Sequence, residues 1–455
     1  MRRRAAVLLL LTALWPAALR GAAAALWNNK IQRIVLPNGL VLLYQKDSSS
    51  AITSLDILIK GGRRAEPEGL SGLAYLTARL MLEIPDNQSA QQLMIQASPL
   101  SLTSQADYNL ISIDSLSDHL EETLRLISKP LQWPLFTGIR IEAIKKYMAS
   151  QRDRESDAAL GQGRAMQLQA LFGPTGYGAS TYGTPETVKA IKGRDISQYY
   201  DTHFQTTEVI LSVVSDLEAQ TISGLLTKYL KDVHRRQPAE PPGRRPMPPP
   251  APRELRAEKD TLQSLVSAAY PLPGVTDRSF ALASLAESLL GKGIASRLWR
   301  LRQEEKLAYS VNSHYLPMKE SSLLEAYLVS ENGKKETALE ALRRTLRDVW
   351  EKGISADELE AAKKIALTDL LRDNEAKDKR AINLAVYEVL GLGYDFLERI
   401  PALYETVTLE EMNSFLSDSL NPERAVWVVL AGTKQKPGPR GRLGLKNLPP
   451  RPAQR

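Results

Sequence analysis

The chain closes twice in the same way. Residues 195–216 carry Asp-Ile-Ser-Gln-Tyr-Tyr-Asp-Thr-His-Phe, then the apolar run Val209 to Val214, and stop at Ser215-Asp216. Residues 411–432 repeat the pattern with Met412, Phe415, Leu416 and Leu420 at helical spacing, then Val426 to Leu430, and stop at Ala431-Gly432. Apolar residues three and four apart mark one face of a helix, and a short continuous apolar run marks a buried strand. Each half therefore ends with a helix leading into a buried strand, and the two halves read as repeats of one unit. With 455 residues the chain is too long for one hydrophobic core.

Between the halves, residues 235–256 are too rich in proline for helix or sheet and predict a semi-rigid linker. The predicted units are residues 26–234 and 257–433. Each opens with strands: Ile31 to Val41 around the Pro37-Asn38-Gly39 turn and then Thr53 to Lys60, against Leu262 to Tyr270 in the second. Helical patterns follow at 71–82, 118–127, 140–151 and 158–171, and again at 279–290, 335–352 and 356–374. Locally paired strands with clustered helices predict the α+β class.

Arg2, Arg3 and Arg4 precede an apolar run from Val7 to Leu19 and then Ala22 to Ala25, the layout of a cleavable signal peptide over residues 1–25. The run is shorter than the roughly 20 residues that span a bilayer, which predicts export to the periplasm and no membrane span after cleavage. The absence of cysteine excludes a disulfide framework, a thiolate nucleophile and a cysteine zinc site. The formal net charge is +7, and the ends hold it: four arginines in the leader and seven Lys or Arg in the basic tail, 434–455, which predicts disorder. Subtracting four and seven from +7 leaves −4 for the body, which offers no electrostatic footprint for nucleic acid.

Residues 69–81, Gly-Leu-Ser-Gly-Leu-Ala-Tyr-Leu-Thr-Ala-Arg-Leu-Met, predict an amphipathic helix with Leu70, Leu73, Leu76 and Leu80 on one stripe and Tyr75, Ala78 and Arg79 opposite. The segment resembles the zinc helix of the pitrilysin or insulinase-like (M16) metallopeptidases, whose H-x-x-E-H carries two zinc-binding histidines and a glutamate base. Here the three positions read Tyr75, Ala78 and Arg79. Arginine is a permanent cation that repels a metal, and alanine accepts no proton. Tyr75 and Arg79, one turn apart, are expected to pack as a cation on an aromatic face.

Further segments resemble the same family in the same order: Ile59 to Glu66 before the helix, and Pro174 to Gly178 with Tyr182-Gly183-Thr184-Pro185-Glu186 after it. The resemblance places the family's third zinc ligand near Met148 and Ala149, neither of which binds zinc; Asp153 or Glu155 would substitute only with a shifted alignment. His119, His203, His234 and His314 show no ligand spacing. In the second half, Leu301-Arg302 to Leu307-Ala308-Tyr309 resembles the family context L-R-x-x-x-x-L-x-Y, in which an Arg and a Tyr reach across a chamber and hydrogen-bond the substrate backbone. Guanidinium and phenol suit that role as fixed donors to a developing oxyanion.

The family fold so implied is a tandem of two similar α+β domains, each a mostly antiparallel sheet covered by helices. The function implied is that of a non-catalytic subunit of an exported heterodimeric zinc endopeptidase. Arg302 and Tyr309 would bind the peptide substrate, this chain would hold no metal or cofactor, and zinc would sit in a homologous partner with an intact H-x-x-E-H. The rival expectation is a catalytically dead structural or peptide-binding protein, like the core subunits of respiratory complexes in the same superfamily.

Overall fold

A computed structural model describes residues 30–84, 86–96, 98–234 and 253–434. The predicted leader, most of the predicted linker and nearly all of the basic tail lie outside the described residues. The first half contains β1 (Gln32–Val35), β2 (Val41–Lys46), β3 (Ile52–Lys60), α1 (Leu73–Leu80), α2 (Asn87–Ile95), β4 (Leu100–Ser104) and β5 (Tyr108–Leu116). It continues with α3 (Leu120–Gln132), α4 (Gly138–Asp157), α5 (Ala159–Phe172), α6 (Pro185–Ala190), α7 (Gly193–His203), β6 (Val209–Ser215) and α8 (Ala219–Tyr229).

The second half contains β7 (Arg253–Lys259), β8 (Gln263–Pro273), α9 (Asp277–Gly291), α10 (Trp299–Gln303), β9 (Ser310–Leu316) and β10 (Ser321–Glu331). Then follow α11 (Lys335–Lys352), α12 (Ala356–Arg372), α13 (Lys377–Leu390), α14 (Phe396–Glu405), α15 (Leu409–Ser419) and β11 (Val426–Gly432). Arg253 to Arg256, read from sequence as the end of the linker, instead open β7, where they pair in parallel with β11. Backbone pairing to a neighbouring strand overrides the weak local signal of this charged stretch.

The sheets show the repeat directly. Strand order is β1-β2-β6-β3-β5-β4 in the first and β7-β11-β8-β10-β9 in the second. With β1 set aside, the strands occupy the same places in the same order. In each sheet one pair, β2 with β6 and β7 with β11, is parallel, and the remaining neighbours are antiparallel. The closing strand of each half sits inside its sheet with a neighbour on either side, which is why Val209 to Val214 and Val426 to Leu430 are buried and read as nearly unbroken apolar runs.

Local chemistry sets the helix limits where the sequence pattern is strong. In α11 the buried positions Ala338, Leu339, Ala341, Leu342, Leu346 and Val349 recur at helical spacing, and Gly353, with φ of 68°, ends it. Ser355 and Glu358 then form a reciprocal cap that starts α12.

The halves exchange helices. From the first half, α5 packs on β8 and β11 of the second sheet, while α13 of the second half packs on β3 and β6 of the first. Gly163 of α5 permits the approach, since a Cβ there would fall 2.7 Å from Leu265 Cδ2. Gln167 donates to Ser267 Oγ at 2.9 Å, and Arg164 pairs with Glu325 at 2.7 Å. On the other side, Lys377 donates to the carbonyls of Ser50 and Ile52 at 2.6 and 3.0 Å, and Arg380 pairs with Asp47. One buried cluster accordingly joins Leu43, Leu58, Leu110, Ile210 and Val214 of the first half to the core of the second. No helix among the described residues is long and apolar enough to cross a membrane.

Candidate functional site

The site starts where β3 ends. Gly62 has φ of 53°, and a Cβ there would lie 2.4 to 2.6 Å from Gln105 O, Ala106 O and Tyr108 N. Only glycine lets this turn lie against the backbone entering β5. The turn directs Arg63 and Glu66 inward, and both are buried. Glu66 Oε1 accepts the N–H groups of Gly72 and Ala74 at 3.0 and 2.9 Å. It thereby caps α1, whose own N-cap is the left-handed Gly72 with no side chain to do so.

On α1, the leucine stripe and Tyr75 are buried together with Ile141, Ile144 and Met148. Tyr75 lies edge-on to Tyr182, with ring centroids 4.9 Å apart at 77°. Burial, above the effects of Tyr147 and Tyr182, raises its phenol well above the ordinary range. Arg79 turns elsewhere: it pairs with Glu83 at 3.2 Å and stands 5.9 Å from the Tyr147 ring. The expected stacking of Arg79 on Tyr75 is therefore corrected, because Tyr182 packs edge-on against Tyr75 and Glu83 draws Arg79 away, with Tyr147 beside both. Ala78 is buried at 2% exposure and Met148 at 0%, so the face holds packed carbon where the family's zinc helix holds ligands.

These residues do not fit zinc. Tyr75, Ala78, Arg79 and Met148 supply no imidazole, thiolate or carboxylate, and no group of three His, Cys, Asp or Glu suited to a metal occurs among the described residues. Glu155 is raised by burial, against the opposing charge of Arg63. His203 is buried against Tyr199, 4.4 Å between centroids, and burial lowers it to about 4, so the imidazole stays neutral.

Beside α1 lies a cavity of about 880 Å³ lined from both halves, by Arg63, Tyr75, Glu155, Arg164 and Tyr182 of the first and Met318 of the second. A polar network closes one side of it. Arg64 pairs with Asp107 at 3.0 Å and also with Glu320, while Asp107 accepts the Tyr177 hydroxyl at 3.1 Å and the Lys319 N–H at 3.0 Å. Arg63, Glu66 and this cavity were not assigned a role from the sequence. The only signal was the cluster of charges in Gly61-Gly62-Arg63-Arg64-Ala65-Glu66, and charge on a loop does not reveal which side chains turn inward.

Arg302 and Tyr309 do not line this cavity. Arg302, exposed on α10, holds its guanidinium 4.8 Å from the Trp299 ring centroid. Tyr309 precedes the edge strand β9; its N–H donates to Val329 O at 2.8 Å, and its hydroxyl donates to Glu331 at 2.7 Å. The turn between them passes through Lys306, with φ of 52°. Tyr309 is 43% exposed and Arg302 is exposed, so both residues stand at the outer margin of the second sheet.

Two buried carboxyls give the fold a pH signature. Burial lifts Asp56, which accepts a hydrogen bond from Ser112, from 3.8 to about 7, and lifts Glu66 from 4.5 to about 8. A folded-state value above the unfolded one means the stabilisation is full below the unfolded value and is lost as pH rises through the folded one. Urea midpoints are expected to fall progressively from about pH 4, near the unfolded values, to about pH 8, and to level off above it. Glu66→Gln should remove the alkaline part of the fall; a flat wild-type profile would contradict the burial of both groups.

Residues 41–182 match the family model described as insulinase (peptidase family M16), and residues 190–366 match that of the peptidase M16 inactive domain. Helicobacter pylori has two relatives among the matches. One, named "Non-peptidase homolog YmxG", is 23% identical over 91% of this chain and 96% of its own. The other, named "Zinc protease PqqE", is 23% identical over 81% of this chain and 83% of its own. A crystal structure of a peptidase M16 inactive domain from Pseudomonas fluorescens superposes with a TM-score of 0.80 at 20% identity, over 90% of this chain and 99% of that one, a likeness of fold. With two family models matched in order over most of the chain and α1 stripped of the zinc-binding residues, the chain belongs to the M16 (insulinase-like) peptidase family and lacks that family's zinc motif.

Proposed function

We propose that this chain is the non-catalytic subunit of an exported heterodimeric M16 zinc endopeptidase, and that it supplies Arg302 and Tyr309 to bind peptide at the active site of a partner. The partner is a homologous chain with an intact H-x-x-E-H, which holds the zinc and the glutamate base. The observation that carries this proposal is the contrast between the two motifs. Tyr75 and Ala78 are buried in packing, whereas Arg302 and Tyr309 keep their donors at the surface. A group that must reach a second chain has to be accessible, and one that has lost its chemistry can be absorbed into the core.

The occurrence in one organism of a relative named as a non-peptidase and another named as a zinc protease supports a division of labour between paired chains. Export to the periplasm is supported by the leader pattern of Arg2 to Arg4 followed by Val7 to Leu19.

The lone protein is expected to hold no stoichiometric zinc by metal analysis and to cleave no peptide, while addition of the partner restores hydrolysis. One tightly held zinc per lone chain would overturn the proposal.

A peptide-binding or structural protein is the second reading, and the engagement of the Tyr309 hydroxyl by Glu331 favours it. A phenol already donating to a carboxylate must release it before donating to a substrate. Co-purification separates the two: a zinc-bearing relative supports the subunit, and an unrelated assembly without one supports the scaffold.

A further inference from the structure

Each half lays one helix across the other's sheet, and the two contacts differ in charge. Under α5, Glu325 of the second sheet has a cation, Arg164, at 2.7 Å. Under α13, Asp56 of β3 makes no ion pair among the described residues. It is 2% exposed, and its carboxyl takes one side-chain hydrogen bond, from Ser112. Side chains two apart on a strand share a face, so Asp56 lies on the face of Leu58. Ser212 stands opposite Asp56 on β6, between Ile210 and Val214. Leu58, Ile210 and Val214 belong to the cluster that the second half covers, and α13 is the helix packed on β3 and β6. The carboxyl is therefore set in an apolar seam between the halves.

The titratable and charged groups around it come from two elements. From β5 come Asp114, which accepts the Ser54 hydroxyl at 2.7 Å, and the buried phenol of Tyr108. From α13 come Asp378 and Lys379, 3.8 Å apart and reaching toward solvent. On β6 this face carries Ile210, Ser212 and Val214, none of them charged. Burial outweighs the Ser112 hydrogen bond and lifts Asp56 to about 7; Asp114 and Asp378 add to the rise, and Lys379 opposes it. Once ionised, the group is an uncompensated charge under a helix, a costly arrangement that water entering the seam relieves.

The first turn of α13 is held by other means. Lys377 donates to the carbonyls of Ser50 and Ile52, and Arg380 pairs with Asp47. Against burial, hydrogen bonds from Ser49 and the Arg380 pair hold Asp47 at about 2, so this anchor keeps its charge at neutral and alkaline pH. Further along the helix, Val386 lines the cavity between the halves.

We propose that α13 is a pH-responsive clasp: ionisation of Asp56 lifts the body of the helix from the first sheet, about a first turn that stays fixed, and widens the cavity at Val386. The charge-matched contact of α5 on the second sheet keeps the halves joined meanwhile.

Hydrogen exchange with mass spectrometry on the full chain reads the clasp, with protection of α13 compared at about pH 6 and about pH 8.5 after correction for intrinsic rates. A carboxyl at about 7 beneath the closed helix and at 3.8 once hydrated makes opening about tenfold easier at the higher pH. Protection of α13 should fall by that factor. In low urea the fall should be nearly independent of denaturant, because a local opening exposes little surface. Asp56→Asn should give equal protection at both pH values. Asp114→Asn removes a negative neighbour and should move the midpoint of the transition to lower pH; it reports even where Asp56→Asn fails to fold.

Equal protection of α13 at both pH values in the wild-type protein overturns the inference, as does a fall that persists in Asp56→Asn or a midpoint unmoved in Asp114→Asn. A urea dependence in α13 as steep as that of the most protected amides of β3 overturns it too, since the opening would then be unfolding of the whole chain.

Discussion

Replacing Arg302 by alanine in the assembled pair is expected to lower kcat by about 100-fold while the complex stays intact. Loss of one donor to a developing oxyanion typically costs about 100-fold or more. The fold should be indifferent, since Arg302 is exposed and its packing partner is the neighbouring Trp299, and substitutions at such sites usually change stability by about 0.5 kcal/mol or less. Arg302→Lys keeps the charge but loses the planar fork, so it should recover only part of the rate. Steady-state kinetics on the pair, with gel filtration to confirm association, gives the answer. An unchanged kcat removes the proposed role of Arg302.

Arg164→Ala is expected to destabilise the protein by about 3–5 kcal/mol, the range for breaking a buried ion pair by truncating one partner. Glu325 has no solvent exposure, and Arg164 Nε and Nη2 both donate to its Oε2, at 3.0 and 2.7 Å. Its Oε1 has no other partner, so truncation leaves a carboxylate stranded in the second sheet. Replacing both residues by apolar side chains of similar volume should recover most of the loss, because the penalty arises from the uncompensated charge. Urea denaturation measures both; a loss below about 1 kcal/mol for the single variant would show that water reaches Glu325.

Residues with strong local pattern were legible in the sequence. The predicted helices at 335–352 and 356–374 appear as α11 and α12 at nearly the same limits, because apolar spacing, a terminal glycine and a capping serine all agree. The closing strands β6 and β11 were legible as unbroken apolar runs. By contrast β7, β9 and α13 escaped notice. Arg253 to Lys259 is a strand only because β11 pairs with it. Ser310 to Leu316 mixes polar and apolar residues along an edge. Lys377 to Leu390 opens on charges whose partners, Ser50 and Asp47, lie in the loop between β2 and β3 of the first half.

At the site, the loss of the zinc residues was legible because residue identity alone decides whether a side chain can bind a metal. The placement of Arg79 was not, since Glu83 and Tyr147 fix it. The inward turn of Arg63 was hidden for the same reason: it depends on the close approach of Gly62 to residues 105–108.

The traded helices α5 and α13 bind the fate of the two halves together. A gene fragment encoding residues 26–234 would yield a sheet whose face at Leu58, Ile210 and Val214 lacks its cover, and a helix α5 with no sheet to rest on. Neither half is a module that recombination can move alone, because each would leave an apolar face of its own sheet bare.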